Sequence, residues 1–404
     1  MKITLSHPHG SLFSYQAARA LSENARLGSF RTGVTGGAWA ARLLARASHD
    51  SRQRLLNRCY DDIPRDRQYS YLCWEALSRA GRRLKTGGPT AETTWYDVLF
   101  CGHDWQASRG LEKDLDAVYA YEDGARLTFE AARRRDVARV YELPLGYFLG
   151  VADELTRSVR ERPDAGLKPW SEPAWKQERK NAELELADLV VVPCEWARET
   201  LRLSKSLNKR VIKVPYATPA DEVAVRGGQP GGPFTIFFAG QVGVRKGVPL
   251  LLEAWERLGL KDARLLMAGS MSLDEKYLSR RAGVEYLGAL PRVRLLELMK
   301  GADLFVFPSL AEGFGLVIGE AMAAGVPVLT TTNTGGPELI SDGREGWCVP
   351  AHDVDALAER IEWAYQNRDA LYGMGMLGRR RAERWTWADY RKKLAHELSR
   401  NLAA

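Results

Sequence analysis

The sequence predicts an α/β chain of two doubly wound, Rossmann-like domains facing a central cleft. Three observations point there. Nearly continuous apolar runs of strand length alternate with helical stretches, the pattern of parallel strands covered on both faces. The alternation breaks once, at residues 218–233, "TPADEVAVRGGQPGGP", which is rich in Gly and Pro and has little apolar periodicity. The chain has 404 residues, enough for two domains of ordinary size.

The elements follow in order. "KITLSHPHG" opens as a strand, and "SLFSYQAARALSE" is helical. After a basic segment come the strand-like runs "YDVLFCGHD", "DAVYAYEDGA", "ARVYELPLG" and "ADLVVVPCE", and "KRVIKVPYA" closes this half. The helical stretch "ARLTFEAARRR" lies among them. Beyond the break, "FTIFFAG", "ARLLMAGS", "VEYLGAL", "DLFVFPS", "VPVLTTT" and "GWCVP" form a second strand series. Helices "VPLLLEAWERLG" and "VRLLELMKGA" sit between them, and the amphipathic end "RWTWADYRKKLAHELSRNLAA" is helical. The expected division is residues 1–217, a linker at 218–233, and a second domain at 234–384.

Hydrophobic residues make up 45% and charged residues 27%, which suits a soluble globular chain. No apolar run approaches the roughly 20 residues of a membrane span. The opening "MKITLSHPHG" lacks the features of a signal peptide. Five cysteines, Cys59, Cys73, Cys101, Cys194 and Cys348, are odd in number and widely spaced, so neither a disulfide framework nor a metal cluster is expected. A cytoplasmic setting follows. The net charge is +7, and residues 31–88 hold twelve Lys or Arg against five acids. The favoured reading of that segment is a solvated face. The sharper one is peripheral association with anionic lipid at the inner face of the membrane, or an anionic acceptor. It has no recognisable nucleic-acid motif.

Ligands of open parallel sheets bind beyond the carboxyl ends of the strands. The residues after each strand are therefore the candidates. "EGFGLVIGE", from Glu312 to Glu320, places Gly313 and Gly315 at the mouth of a helix. The glycines allow close backbone approach, and the amides near Leu316 and Val317 suit a phosphate. Glu312 and Glu320 would repel that phosphate, so they are expected to accept hydrogen bonds from neutral hydroxyls. A sugar nucleotide offers both groups. "FFAGQVGVRKG" carries Gly240, Arg245 and Lys246 after another strand, and a cation there can neutralise a diphosphate leaving group. It lacks the spacing of a dinucleotide fingerprint or a P-loop. On the N-terminal side, His103 with Asp104, and Glu122 with Asp123, follow strand-like runs and are expected to face the cleft. His7 and His9 share a face. With no third ligand of matching context, they are read as a cleft-facing pair and not as a metal site.

The ordered set "FFAGQVGVRKGVPLLLEAW", "ARLLMAGS", "VEYLGAL", "ADLFVFPSLAEGFGLVIGEAMAAGVPVLTTTNTGGPELI" and "DGREGWCVP" resembles the sugar-donor half of glycosyltransferase family 4. The resemblance implies a retaining enzyme of GT-B architecture that moves a sugar from a nucleoside diphosphate to an acceptor hydroxyl, in polysaccharide, glycan or glycolipid biosynthesis. It implies no cofactor and no divalent ion. The closing segment "RWTWADY" is similar to the family's, which implies that the helix of residues 385–404 packs back on the first domain. The acceptor would be a carbohydrate, a lipid-linked molecule or a small molecule. Glu312 matches the first glutamate of the family's E-x7-E motif, at the sugar, and Glu320 the second, at the ribose. Lys246 matches the lysine on the diphosphate. The amides of Gly315, Leu316 and Val317 would bind the distal phosphate, with Gly313 and Phe314 in the same loop, and the segment around Leu290 would meet the base. Gln241 stands where the family often has arginine, and Arg245 is placed to compensate. Cys194 stands where serine is common. The N-terminal side departs further, with one glycine, Gly10, in the first loop beside His9. Glu142, Pro144 and Tyr147 stand where a histidine is common. Two other classes remain open: another GT-B enzyme, such as an epimerase or phosphorylase, and a non-catalytic sugar-nucleotide-binding protein.

Overall fold

The computed structural model describes residues 1–35, 60–84, 93–162, 170–206, 208–274, 277–278 and 281–402. Seven strands form the first sheet: β1 (Ile3–His7), β2 (Leu27–Thr32), β3 (Gln68–Ser70), β4 (Ala117–Tyr121), β5 (Ala138–Glu142), β6 (Leu189–Val192) and β7 (Arg210–Lys213), in the order β3-β2-β1-β4-β5-β6-β7. Six form the second: β8 (Phe234–Ala239), β9 (Ala263–Ala268), β10 (Val284–Tyr286), β11 (Leu304–Phe307), β12 (Val328–Thr331) and β13 (Gly346–Val349), in the order β10-β9-β8-β11-β12-β13. Neighbouring strands in both sheets pair in parallel. All six residues of β8 are buried, which is why its sequence is apolar but for Thr235 and shows no alternation.

The described helices are α1 (Leu12–Glu23), α2 (Leu72–Arg83), α3 (Trp95–Arg109), α4 (Arg126–Arg133), α5 (Phe148–Glu161), α6 (Ala174–Leu186) and α7 (Glu195–Thr200) around the first sheet. They continue as α8 (Val248–Leu258), α9 (Arg292–Lys300), α10 (Leu316–Ala323), α11 (Gly336–Leu339), α12 (Val354–Gln366), α13 (Arg368–Ala382) and α14 (Trp387–Leu402). No helix among the described residues is long and apolar enough to cross a membrane.

Two features depart from the sequence reading. "YDVLFCGHD" is not a strand but lies within α3. Thr94 accepts from the Asp97 amide while the Asp97 carboxylate accepts from the Thr94 amide, a capping box that starts a helix. The actual second strand, β2, reads "LGSFRT" and went unrecognised because half its residues are polar. Its Arg31 is 3% exposed, donates to Tyr71 Oη at 2.7 Å and pairs with Glu112 at 3.0 Å. Arg31 therefore adds nothing to a basic surface. Arg79 is paired with Glu75 at 2.8 Å, and Arg82 lies over the Tyr96 ring. Arg42, Arg46, Arg52, Arg54, Arg58 and Lys85 of the basic segment, and Cys59, lie outside the described residues. Cys73, Cys101, Cys194 and Cys348 are free thiols.

The halves touch at several places. α14 lies on α1, where Arg391 pairs with Glu23 at 2.8 Å and Arg26 donates to the Ala395 carbonyl at 2.9 Å. Lys213 reaches Glu338 at 3.2 Å, and Arg162 reaches Glu253 at 3.1 Å. His352, after β13, sits between Glu154 at 2.8 Å and Glu161 at 3.3 Å, both on α5. Residues 218–233 do not hang free: Arg226 is 4% exposed and donates to the Ala302 and Leu371 carbonyls.

Candidate functional site

Strand order reverses between β1 and β4 in the first sheet and between β8 and β11 in the second. Such a reversal opens a crevice at the carboxyl ends of the strands, where ligands of this fold class bind. The loops after β1, β4, β8 and β11 carry most of the candidate residues.

The loop after β8 turns through a single helical turn, Val244–Lys246, before α8. The loop after β11 braces it: the Leu310 amide and the Ser309 hydroxyl both donate to the Arg245 carbonyl. This brings three predicted residues together. Lys246 Nζ contacts Glu312 Oε2 directly, and Arg245 Nη1 lies 3.3 Å from the same oxygen. Arg245 Nη1 also donates to the Ala311 carbonyl at 3.0 Å. The Lys246 ammonium sits 4.8 Å from the centroid of the Phe307 ring. Burial first, and the Arg245 guanidinium second, press the Lys246 pKa well below its usual range. A single carboxylate facing two cations leaves an excess of positive charge, which suits an anionic ligand.

Gly315 caps α10 at a φ of 80°, in the left-handed region that glycine tolerates, and no side chain caps that end. Leu316 and Val317 are half-buried at this uncapped start. Gly313 allows a different approach. A Cβ there would lie 1.6 Å from the Pro144 carbonyl oxygen, so only glycine lets this loop touch the N-terminal half. Phe314 is 2% exposed and meets Tyr216 edge-on, so its ring is a packing group and offers nothing to a ligand. Gly240 ends the β8 ladder by donating to the Ala268 carbonyl. Gln241 is exposed, and Leu290 is half-buried in the loop between β10 and α9.

Glu320 is not part of the Lys246 cluster. It accepts from Arg292 Nε at 3.0 Å, and the same guanidinium reaches Glu222 at 3.3 Å. Arg292 lies 28 residues away on another helix, and no local pattern announced the pairing.

On the N-terminal side, His7 Nδ1 accepts from the His9 and Gly10 amides at 3.1 and 3.0 Å. It shapes the turn after β1. His9 is partly exposed, with Glu75 at 3.9 Å, and the Gly10 carbonyl accepts from Tyr60. Among the described residues, no group of three or more His, Cys, Asp or Glu is placed to hold a metal ion. Glu122 and Asp123 do follow β4, and both approach Lys180 on α6, at 3.3 and 3.8 Å. Lys180 also meets Glu172 at 2.8 Å. Burial opposes its charge, but the three carboxylates hold its pKa above the usual range. Sequence reasoning missed Lys180 and Glu172, because nothing local marks a helix lysine as facing a strand end 58 residues earlier.

Two candidates are corrected. His103 does not face the cleft. It lies inside α3, fully buried against Ser6 at 2.9 Å, and burial holds its pKa down at about 3. Glu142 is 1% exposed, its carboxyl bonded by the Tyr119 and Tyr216 hydroxyls. Burial pushes its pKa from 4.5 up to about 7. The folded state thus favours the neutral carboxyl by about 3 kcal/mol. That contribution is complete below pH 4.5 and is lost as the pH rises through about 7. Wild-type Tm should therefore fall relative to that of Glu142→Gln between about pH 5 and 8. A Tm difference independent of pH would refute this protonation.

Comparison with known proteins adds an independent view. A D-inositol 3-phosphate glycosyltransferase of Arthrobacter sp. (strain FB24) is 33% identical over 276 residues, which cover 62% of this chain and 64% of that relative. The chain spans between 39% and 64% of the length of the curated relatives compared. The sucrose-phosphate synthase of Thermosynechococcus elongatus shares the fold at a TM-score of 0.62 and 19% identity, covering 100% of this chain and 99% of that one. So does Anabaena Alr3699/HepE, in complex with UDP and glucose, at a TM-score of 0.59 and 16% identity, covering 99% of this chain and 100% of that one. The architecture is therefore GT-B, two Rossmann-like sheets with helices. Residues 221–381, which contain Arg245, Lys246, Glu312 and Glu320, match the family model described as glycosyl transferases group 1.

Proposed function

We propose that the chain is a retaining glycosyltransferase of family 4, using a nucleoside diphosphate sugar as donor and an acceptor hydroxyl as nucleophile. The observation that carries this reading is the meeting of Lys246, Arg245 and Glu312 beside the uncapped start of α10. Cations and free amides suit a diphosphate, and a carboxylate suits sugar hydroxyls. The bound UDP and glucose of the Anabaena structure, and the transferase names of the relatives, support the choice of ligand. On this reading residues 1–217 form the acceptor-side domain and residues 234–384 the sugar-donor domain. The Gly315, Leu316 and Val317 amides hold the distal phosphate, Glu320 the ribose, and the segment around Leu290 the base.

In the reaction, the acceptor oxygen bonds to the anomeric carbon from the face that the phosphate leaves. The bond from that carbon to the phosphate oxygen breaks, and a phosphate oxygen takes the acceptor's proton. Lys246, Arg245 and the α10 start stabilise the charge that grows on the leaving diphosphate. The setting is cytoplasmic, with any membrane contact peripheral.

A thermal-shift screen against UDP-, GDP-, ADP- and TDP-sugars tests the reading, since a ligand that binds the native state raises its Tm. At least one should stabilise the chain. If none does, the site is not a sugar-nucleotide site. Activity should survive EDTA, because protein groups supply the counter-charge for the diphosphate. Complete loss that magnesium or manganese restores would show that this counter-charge is misassigned. Glu320→Ala should raise the KM for the sugar donor about tenfold or more with little change in kcat, because the ribose does not change during reaction. A fall in kcat at unchanged KM would move Glu320 to the reacting centre.

A further inference from the structure

We propose that a cavity of about 290 Å³ between the two halves is the acceptor subsite, and that it takes a neutral alcohol carried on an apolar body. This rests on the sugar-donor site described above. The position comes first. Arg245 and Gln241 form one side of the cavity, and Arg245 stands 3.3 Å from Glu312, so an occupant lies next to the proposed reacting centre.

The opposite wall is apolar. α5 turns Phe148, Val151 and Leu155 toward the cavity, three residues spaced i, i+3 and i+7 on one helical face, and Leu145 extends the wall. A sugar ring there would lose water from hydroxyls that find no partner. An aliphatic or aromatic body would not.

The polar end selects against an anion. Lys180 lines the cavity but already meets Glu172, Glu122 and Asp123. Arg245 pairs with Glu312 and, on the proposed reading, is taken up by the donor's diphosphate, so it is not left for a second anion. What this end does offer is an acceptor of hydrogen bonds. The Glu172 side chain lines the cavity and is 10% exposed. A hydroxyl donating to the Glu172 carboxylate would lie at this polar end, while its apolar body lies along α5.

The test uses n-alkanols from ethanol to hexanol, titrated by calorimetry into the full chain. Each titration is run with UDP, GDP, ADP or TDP present, whichever binds. Affinity should rise about fourfold per added methylene until the cavity fills. In Leu155→Asn, with its fold checked by circular dichroism, that rise should flatten. Equal binding of ethanol and hexanol overturns the proposal, and so does a chain-length effect that persists in the folded variant. If the variant does not fold, the wild-type series decides alone. Failure of every nucleotide to bind overturns the sugar-donor reading and this proposal with it. Nucleotide binding without a chain-length effect overturns this proposal only.

Discussion

Lys246→Ala should lower turnover at saturating sugar donor about a hundredfold or more, the usual cost, about 3 kcal/mol, of removing one group that meets charge growing in the transition state. The geometry explains why one residue should carry so much. Lys246 is nearly buried, and its Nζ lies over the Phe307 ring. Little water screens it, so its interaction with a leaving diphosphate is strong. Arg245 is the nearest replacement. It is tied to the Ala311 carbonyl, however, and is more exposed than Lys246. Steady-state kinetics against sugar-donor concentration, with circular dichroism on the variant, measures the loss. Unchanged turnover in a folded variant would remove Lys246 from the mechanism.

Glu312→Gln should also lower turnover about a hundredfold, without weakening sugar-donor binding in proportion. In the structure the Glu312 carboxylate occupies both Lys246 and Arg245. A diphosphate arriving at those cations competes with it. Glutamine is nearly the same size but removes that competition, so nucleoside diphosphate should bind the variant at least as tightly as the wild type. On the proposed reading, the catalytic loss comes from the other role, as the negative charge facing the sugar as its bond breaks. The split is measured by kcat from steady-state kinetics and by nucleotide Kd from calorimetry. A variant with wild-type kcat and weakened nucleotide binding would reverse the assignment and make Glu312 a binding residue.

How much of this was legible in the sequence depended on distance along the chain. The glycines and glutamates of residues 312–320 form one continuous stretch, and the Gly240–Lys246 loop is another. Each carries its own signal, and the structure brings the two loops together. The strands of the second sheet were legible because their runs are mostly apolar. β2 was not, because Ser29, Arg31 and Thr32 are polar in sequence and buried in the fold. α3 was misread although its start signal, Thr94 with Asp97 three residues on, lay in plain view. The apolar run "VLFC" outweighed it. The error carried His103 with it, since a residue taken for a strand end proved to be inside a helix. Glu142 shows a different limit. It does end β5, but the tyrosines that enclose it come from residues 119 and 216, and no local pattern reports such a cage. Arg292 on Glu320, and Lys180 on Glu122, are likewise contacts between distant segments.

The most direct test of the account is release of nucleoside diphosphate from the sugar nucleotide that most raises the Tm. The wild-type chain should release it steadily, and a hydroxyl-bearing acceptor should accelerate the release while gaining the sugar. A folded chain that binds the sugar nucleotide but releases no nucleoside diphosphate, with or without acceptors, would contradict the account and leave a sugar-nucleotide-binding protein in its place.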